Sequence, residues 1–495
     1  MDFFSLQFVI FLLAVVVLYY LLAFINKKAK KNIIPQWSIL LIGSLLFYGL
    51  MNYVYLIYLV ISSLISYGFA LGCKNKEKNN PLFLIIPLIL NIGILLVLKY
   101  YNFFISSVNS IFKLSWITMN FIVPLGISFY TFSLVSYNVD CYKGTCDSEK
   151  NPIKFILFVS YFPKLIQGPI SSYDKLKEDG LFDNHSFIET NYCNSFYRIG
   201  LGLLKKIIIA DIIGLYVNSA YANLNDLYGF NLILVSLLYS IQLYCDFSGF
   251  MDMMFGISGL FGIKLEENFN LPYLSSSISE FWRRWHITLG AWLKKYIYIP
   301  LGGNRVPKWR WAINILIVWL ISGLWHGANL TFIIWGLYHG LLIIAFGLIG
   351  MLVKNKNSWE RIGLFKKIVG IVITFILVNF GWIFFRSSNI NEAFTFISHM
   401  FNFVANNSIN MFTFEAVKNA WPYLIVAFSF IAALILLVVA IKYKNVLLNK
   451  IKNPEIISFI AKYGLAIVFI AISIFVFITS KSIGGGESSF IYFDF

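Results

Sequence analysis

The chain has 495 residues, of which 59% are hydrophobic and 13% charged. A soluble globular domain carries about 25% charged residues, so this composition excludes an ordinary water-borne protein and makes lipid the solvent for much of the chain. The net charge of +16 does not indicate a nucleic-acid partner, because the lysines cluster beside apolar runs, where they are expected to face the cytoplasm and anionic lipid headgroups.

Phe3 to Ile25 carries no charge. A helix needs about 20 such residues to cross a bilayer. The chain begins Met1-Asp2, without a basic leader region, so this run is expected to stay as the first membrane helix rather than be cleaved. It ends in Lys27, Lys28, Lys30 and Lys31, which the positive-inside rule assigns to the cytoplasm. Residues 36–52 and 54–72 predict a hairpin returning to Lys74, Lys76 and Lys78. Residues 82–100 predict an outward span. Residues 118–139 predict a return, broken by Pro124 and Gly126.

From 153 to 265 the apolar runs are short and interrupted by Pro163, Pro169 and glycines. That pattern predicts re-entrant or buried helices around a cavity. Residues 280–300, rich in Trp, Tyr, Arg and Lys, predict one amphipathic helix at the cytoplasmic interface. Beyond it, 311–325, 329–353 and 368–385 alternate across the membrane. A polar external loop is expected at 387–420, and 421–441 with 457–480 complete the set, leaving both termini outside the cell membrane.

The apolar runs do not alternate with polar residues as a barrel requires. The expected class is therefore an all-α polytopic membrane protein with about 11 to 13 embedded helices. A single domain over 1–495 is expected, with N-terminal helices to 115, a catalytic core over 116–390 and C-terminal helices from 391. The five cysteines show no zinc spacing. Cys141 and Cys146 are expected inside, where disulfides are rare.

Ionisable residues at membrane depth are candidates for function, and four groups qualify. In Gly323-Leu324-Trp325-His326-Gly327-Ala328-Asn329, a neutral imidazole could take a proton from a hydroxyl or thiol. The plainer reading is a histidine bonded to a neighbouring helix. His286 lies forty residues earlier, in Phe281-Trp282-Arg283-Arg284-Trp285-His286. Arg283 and Arg284 could hold the phosphates of a cytoplasmic donor, or snorkel to headgroups. Asp246 and Asp252 stand in an apolar stretch and could pair with Arg198 or Arg283, or orient a histidine. In Tyr161 to Pro169, two prolines enforce a kink, and Lys164 could line a polar path. His339 falls mid-span and could face a cavity or pack in the core; His185 and His399 fall in polar loops. Leu301-Gly302-Gly303-Asn304-Arg305 follows Pro300 and lacks P-loop spacing, so it reads as a turn. No bound cofactor and no metal constellation is indicated.

Together these segments resemble the membrane-bound O-acyltransferase family over roughly residues 35–495. The resemblance rests above all on Glu280 to Leu289 continuing to Tyr298 through Arg305, which is similar to the alginate O-acetyltransferase branch. Trp325-His326-Gly327-Ala328 resembles the family's active-site histidine motif. Tyr161 to Pro169, Lys205-Lys206 to Asp211, Tyr244 to Asp252 and Gly381 to Arg386 also look like that branch.

The resemblance implies a funnel-like helical fold with a central tunnel, His326 as catalytic histidine and His286 as the second functional one. Relatives carry an Arg-Asp pair after the tryptophan of the amphipathic helix. Here Lys294-Lys295 stand there, which puts a salt bridge at this position in doubt. The tail Phe490 to Phe495 resembles an aromatic C-terminal motif of bacterial members, so Tyr492 is a candidate acyl relay or, equally, an interfacial anchor.

The expected activity is transfer of an acetyl group from a cytoplasmic thioester, acetyl-CoA, across the membrane to a cell-surface polysaccharide. Trp285, Trp325 and Asn329 are expected to line the donor site or tunnel with the arginines. The resemblance also implies an extracytoplasmic partner of the SGNH-hydrolase type. The rivals are D-alanyl transfer to teichoic acid, a polymer or ion transporter, and a scaffold for a polymer synthase. A transporter often shows inverted repeats, and none is visible.

Overall fold

The computed structural model describes residues 3, 5–73, 80–188, 190–352 and 363–403. The chain is helical almost throughout them. In order run α1 (Leu6–Lys28), α2 (Trp37–Met51), α3 (Tyr53–Leu71) and α4 (Leu82–Leu95). A π-helical turn, Leu96–Tyr100, joins α4 to α5 (Tyr101–Phe112). α6 (Ile127–Tyr142), α7 (Pro152–Ser160), α8 (Phe162–Leu165) and α9 (Tyr173–Glu178) follow. α10 (Tyr192–Leu203) passes through a second π turn, Leu204–Ala210, into α11 (Asp211–Ala222). Next come α12 (Phe230–Gly259), α13 (Ile278–Arg284) and α14 (Ile287–Leu293). α15 (Lys308–His326), α16 (Leu330–Leu352), α17 (Leu364–Arg386) and α18 (Ile390–Met400) complete the described chain.

Six of these helical segments are long and apolar enough to cross a bilayer. With no water at that depth, helices satisfy their own backbone groups, and the protein is an all-α, multi-pass membrane protein. The expected hairpin is present, split at Asn52, whose Oδ1 accepts from Val54 N at 2.9 Å and caps α3. The expected spans 421–441 and 457–480, Tyr492, and the lysines at 74–78 and 442–452 lie outside the described residues.

Three expectations are corrected. First, the span predicted over 118–139 is helical only from Ile127. Side chains of α5 hold the preceding chain in another form. Asn102 exchanges two hydrogen bonds with the Met119 backbone, and Asn109 does the same with Trp116. Gly126, at φ +77°, makes the turn; a Cβ there would stand 2.5 Å from Leu165 O.

Second, the stretch expected to be short and broken contains α12, an unbroken helix of 30 residues. Its glycines are contact points. A Cβ on Gly256 would meet Ser195 O at 2.5 Å, and one on Gly249 would meet Gly202 O at 2.9 Å. Small residues let α10 lie against α12, as in many membrane helix pairs.

Third, 280–300 is not one amphipathic helix. It breaks at Trp285-His286, where His286 adopts φ +45°. Asn268 holds the break open: its carbonyl accepts from Ile287 N at 3.0 Å, and its Oδ1 accepts from Thr288 N at 3.0 Å and Thr288 Oγ1 at 2.7 Å.

Candidate active site

The last turn of α15 carries Trp325 and His326, both buried. α15 and α16 cross where both offer glycine. A Cβ on Gly323 would lie 2.3 Å from Phe332 O, and one on Gly336 would lie 2.3 Å from Trp319 O. This close crossing sets α16 and α17 around the His326 ring. Its centroid is 5.0 Å from that of Trp335 and 5.1 Å from that of Phe385.

The break before α14 delivers His286 to the same place. Its ring lies 4.9 Å from Phe247 of α12 and 5.8 Å from Trp325. The two histidines, forty residues apart in sequence, therefore meet one indole, since Trp325 is 5.0 Å from His326. Phe129 and Phe132 of α6 close the remaining side of that indole at 5.0 and 5.6 Å. Neither nitrogen of His286 has a hydrogen-bond partner among the described residues. A buried polar atom without a partner costs about 1 to 3 kcal/mol. A non-glycine residue at positive φ is itself uncommon. Both features concentrate at functional sites.

Lys164 is buried within α8, just after the break at Tyr161. Its Nζ sits 3.4 Å from Ser133 Oγ and 4.0 Å over the Phe158 ring. The segment that follows α8 is fastened to α14 by Ile170 N donating to Thr288 Oγ1 at 3.2 Å. Ile170 then packs in one cluster with Leu289, Trp292 and Trp325, so this segment borders the histidine layer.

The other candidates have different surroundings. Trp285 is buried against Phe269, Phe281 and Trp382 and forms a wall behind His286. Arg284 pairs with Glu280 at 2.7 Å, and Arg283 is exposed. Asn329 caps α16 by accepting from Thr331 N at 3.1 Å, and it donates to Ser388 O at 2.7 Å. Asp252 meets Arg198 at 2.8 Å and Lys205 at 2.6 Å, while Asp246 meets Lys206 at 2.7 Å. These carboxylates pair with cations. Lys295 forms a salt bridge with Asp140 at 2.9 Å, so the position that departs from relatives still holds an ion pair. His339 is fully buried and ringed by Trp282, Trp319 and Trp335. All five cysteines are free.

Sequence reasoning passed over Lys99 and Tyr100, which touch the backbone at Trp325 and Leu324. Lys99 looked like a boundary lysine after an apolar run. The rule that charges at membrane depth mark function could have found it.

Residues 147–388 match MBOAT, the membrane-bound O-acyltransferase family. The chain is 37% identical over 402 residues to the peptidoglycan O-acetyltransferase of Helicobacter pylori, covering 75% of each. It is 35% identical over 376 residues to the "Probable alginate O-acetylase" of Pseudomonas aeruginosa, covering 74% of this chain and 69% of that one. It is also similar to the teichoic acid D-alanyltransferase of Bacillus subtilis, at 31% over 54% of this chain and 69% of that one. An all-helical membrane chain with these relatives is an O-acyltransferase and belongs to the membrane-bound O-acyltransferase family.

Proposed function

We propose that this enzyme takes an acetyl group from acetyl-CoA at the cytoplasmic face and passes it through the membrane to the hydroxyls of a cell-surface glycan. The observation that carries the reading is the convergence of His286 and His326 on Trp325. A buried imidazole beside an entering hydroxyl is the equipment of general-base acyl transfer.

In the proposed step, His326 accepts the proton of the acceptor hydroxyl as its oxygen attacks the thioester carbonyl. The carbon–sulfur bond then breaks, and the departing thiolate takes the proton from His326. The free thiol and the new ester account for all atoms. His286 meets the same indole as His326. Arg283, with Lys294 nearby in the chain, offers positive charge for donor phosphates at the inner mouth. With the Tyr492 hydroxyl as candidate first acceptor, an SGNH-type transferase outside would then move the acetyl group to a polymer hydroxyl, breaking the tyrosyl ester and returning the free phenol.

Acetyl is favoured over D-alanyl because the two O-acetyl relatives are more similar and cover more of this chain. The test is His326→Ala, with insertion verified by membrane protein level. Surface O-acetyl ester should fall about 100-fold or more. Wild-type ester content in that strain would refute the assignment.

A further inference from the structure

The strongest feature outside the histidine pair lies at the C-terminal end of α15. α15 ends at His326, and the last four carbonyls of an α-helix have no partner within it. Two of them are taken by one neighbouring turn. Lys99 Nζ donates to Trp325 O at 3.1 Å, and Tyr100 hydroxyl donates to Leu324 O at 2.5 Å. Lys99 Nζ also reaches Ser128 Oγ in the first turn of α6 at 3.4 Å.

Several features set this contact apart from ordinary capping. The two donors are adjacent residues from a distant part of the sequence, and they sit in the π turn Leu96–Tyr100. Single π turns inside α-helices are rare and recur at functional sites. Here the wider turn aims both side chains at one partner. No carboxylate lies within 4.0 Å of Lys99 among the described residues. Its charge is therefore answered by the negative end of the α15 dipole. Trp325, whose carbonyl it holds, is also the indole that both histidines meet.

We infer that Lys99 and Tyr100 are positioning residues for the acyl-transfer reaction, clamping the end of α15 so that His326 stands in reacting geometry. The clamp acts through the backbone. It requires a long cationic donor at 99 and a hydroxyl at 100, and misplacement by about 1 Å can cost about 100-fold in rate. This inference rests on the role of His326 proposed above.

The test uses the full-length chain in its host, with Lys99→Met, Lys99→Arg, Tyr100→Phe and His326→Ala at the native locus. Surface ester content reads activity whatever the donor. Membrane vesicles titrated with acetyl-CoA separate turnover from donor saturation, and thermal melting of the purified chain reads folding. Lys99→Met should lower ester content about 10- to 100-fold, with turnover reduced and half-saturation within about twofold. Lys99→Arg should restore most of it, and Tyr100→Phe should fall between.

Full ester content in Lys99→Met would overturn the inference. So would a loss matched by lost membrane protein and a lower melting temperature, with no rescue by arginine. Retained ester in His326→Ala sinks the reading of His326, and the inference with it. Inert vesicles with acetyl-CoA count against the donor alone, since ester content still reads Lys99.

Discussion

Lys206 and Asp246 are almost wholly buried against one another, 2.7 Å apart, with Asp211 at 2.8 Å on the same ammonium. Removing one partner of a buried pair is costly, at about 3 to 5 kcal/mol when the other charge is left alone, and Asp211 offsets part of that for Lys206. Asp246→Ala should therefore lower the melting temperature in detergent, by less than the loss of a sole partner would. Replacing Asp246 and Lys206 together with apolar residues should cost less, and equal losses would contradict a mutually compensating pair. The carboxylates were legible as anomalies in an apolar stretch, and Asp252 does meet Arg198 as one sequence reading expected. Lys205 and Lys206 were less legible as their partners, because a π turn turns both lysines towards α12. Lys99 escaped because it closes an apolar run, where a lysine reads as a membrane boundary.

At the scale of elements, the crossing of α15 and α16 depends on Gly323 and Gly336. Gly336→Ala should force the helices apart, cost about 1 to 3 kcal/mol by overpacking, and lower activity beyond the loss of stability by moving His326. An alanine variant with wild-type melting and activity would show that the crossing is loose. The short α13 depends on its first turn. Ser277 Oγ accepts from Glu280 N at 3.2 Å, and the Glu280 carboxylate accepts from Ser276 N and Oγ at 2.8 and 2.9 Å.

Burial pushes the Glu280 carboxyl up, but the Ser276 bonds with Arg284 and Arg283 outweigh it and hold it below the ordinary range. A lowered carboxyl stabilises the fold above the unfolded value of about 4.3 and loses that contribution as pH falls through the folded value. The stability gap between wild type and Glu280→Gln should thus be full at neutral pH and close in acid. A gap independent of pH would contradict it. Helix positions were readable from apolar runs such as Leu82–Leu98. The break at His286 was not, because it depends on Asn268, a tertiary contact that no local pattern announces.

For the whole molecule, the class was legible from composition, because 13% charge leaves no aqueous fold of this length. The site was legible in its residue types but not in its geometry. Only the packed bundle brings α6, α12, α14, α15, α16 and α17 around the two imidazoles and the Trp325 indole. In the proposed function, His326 moves an acyl group from one face of the membrane to the other. Labelled acetyl-CoA supplied only outside inverted host vesicles, the cytoplasmic face, should yield labelled ester on acceptor glycan in the lumen. That label should vanish with His326→Ala. Luminal ester formed equally well by the variant would contradict the claim.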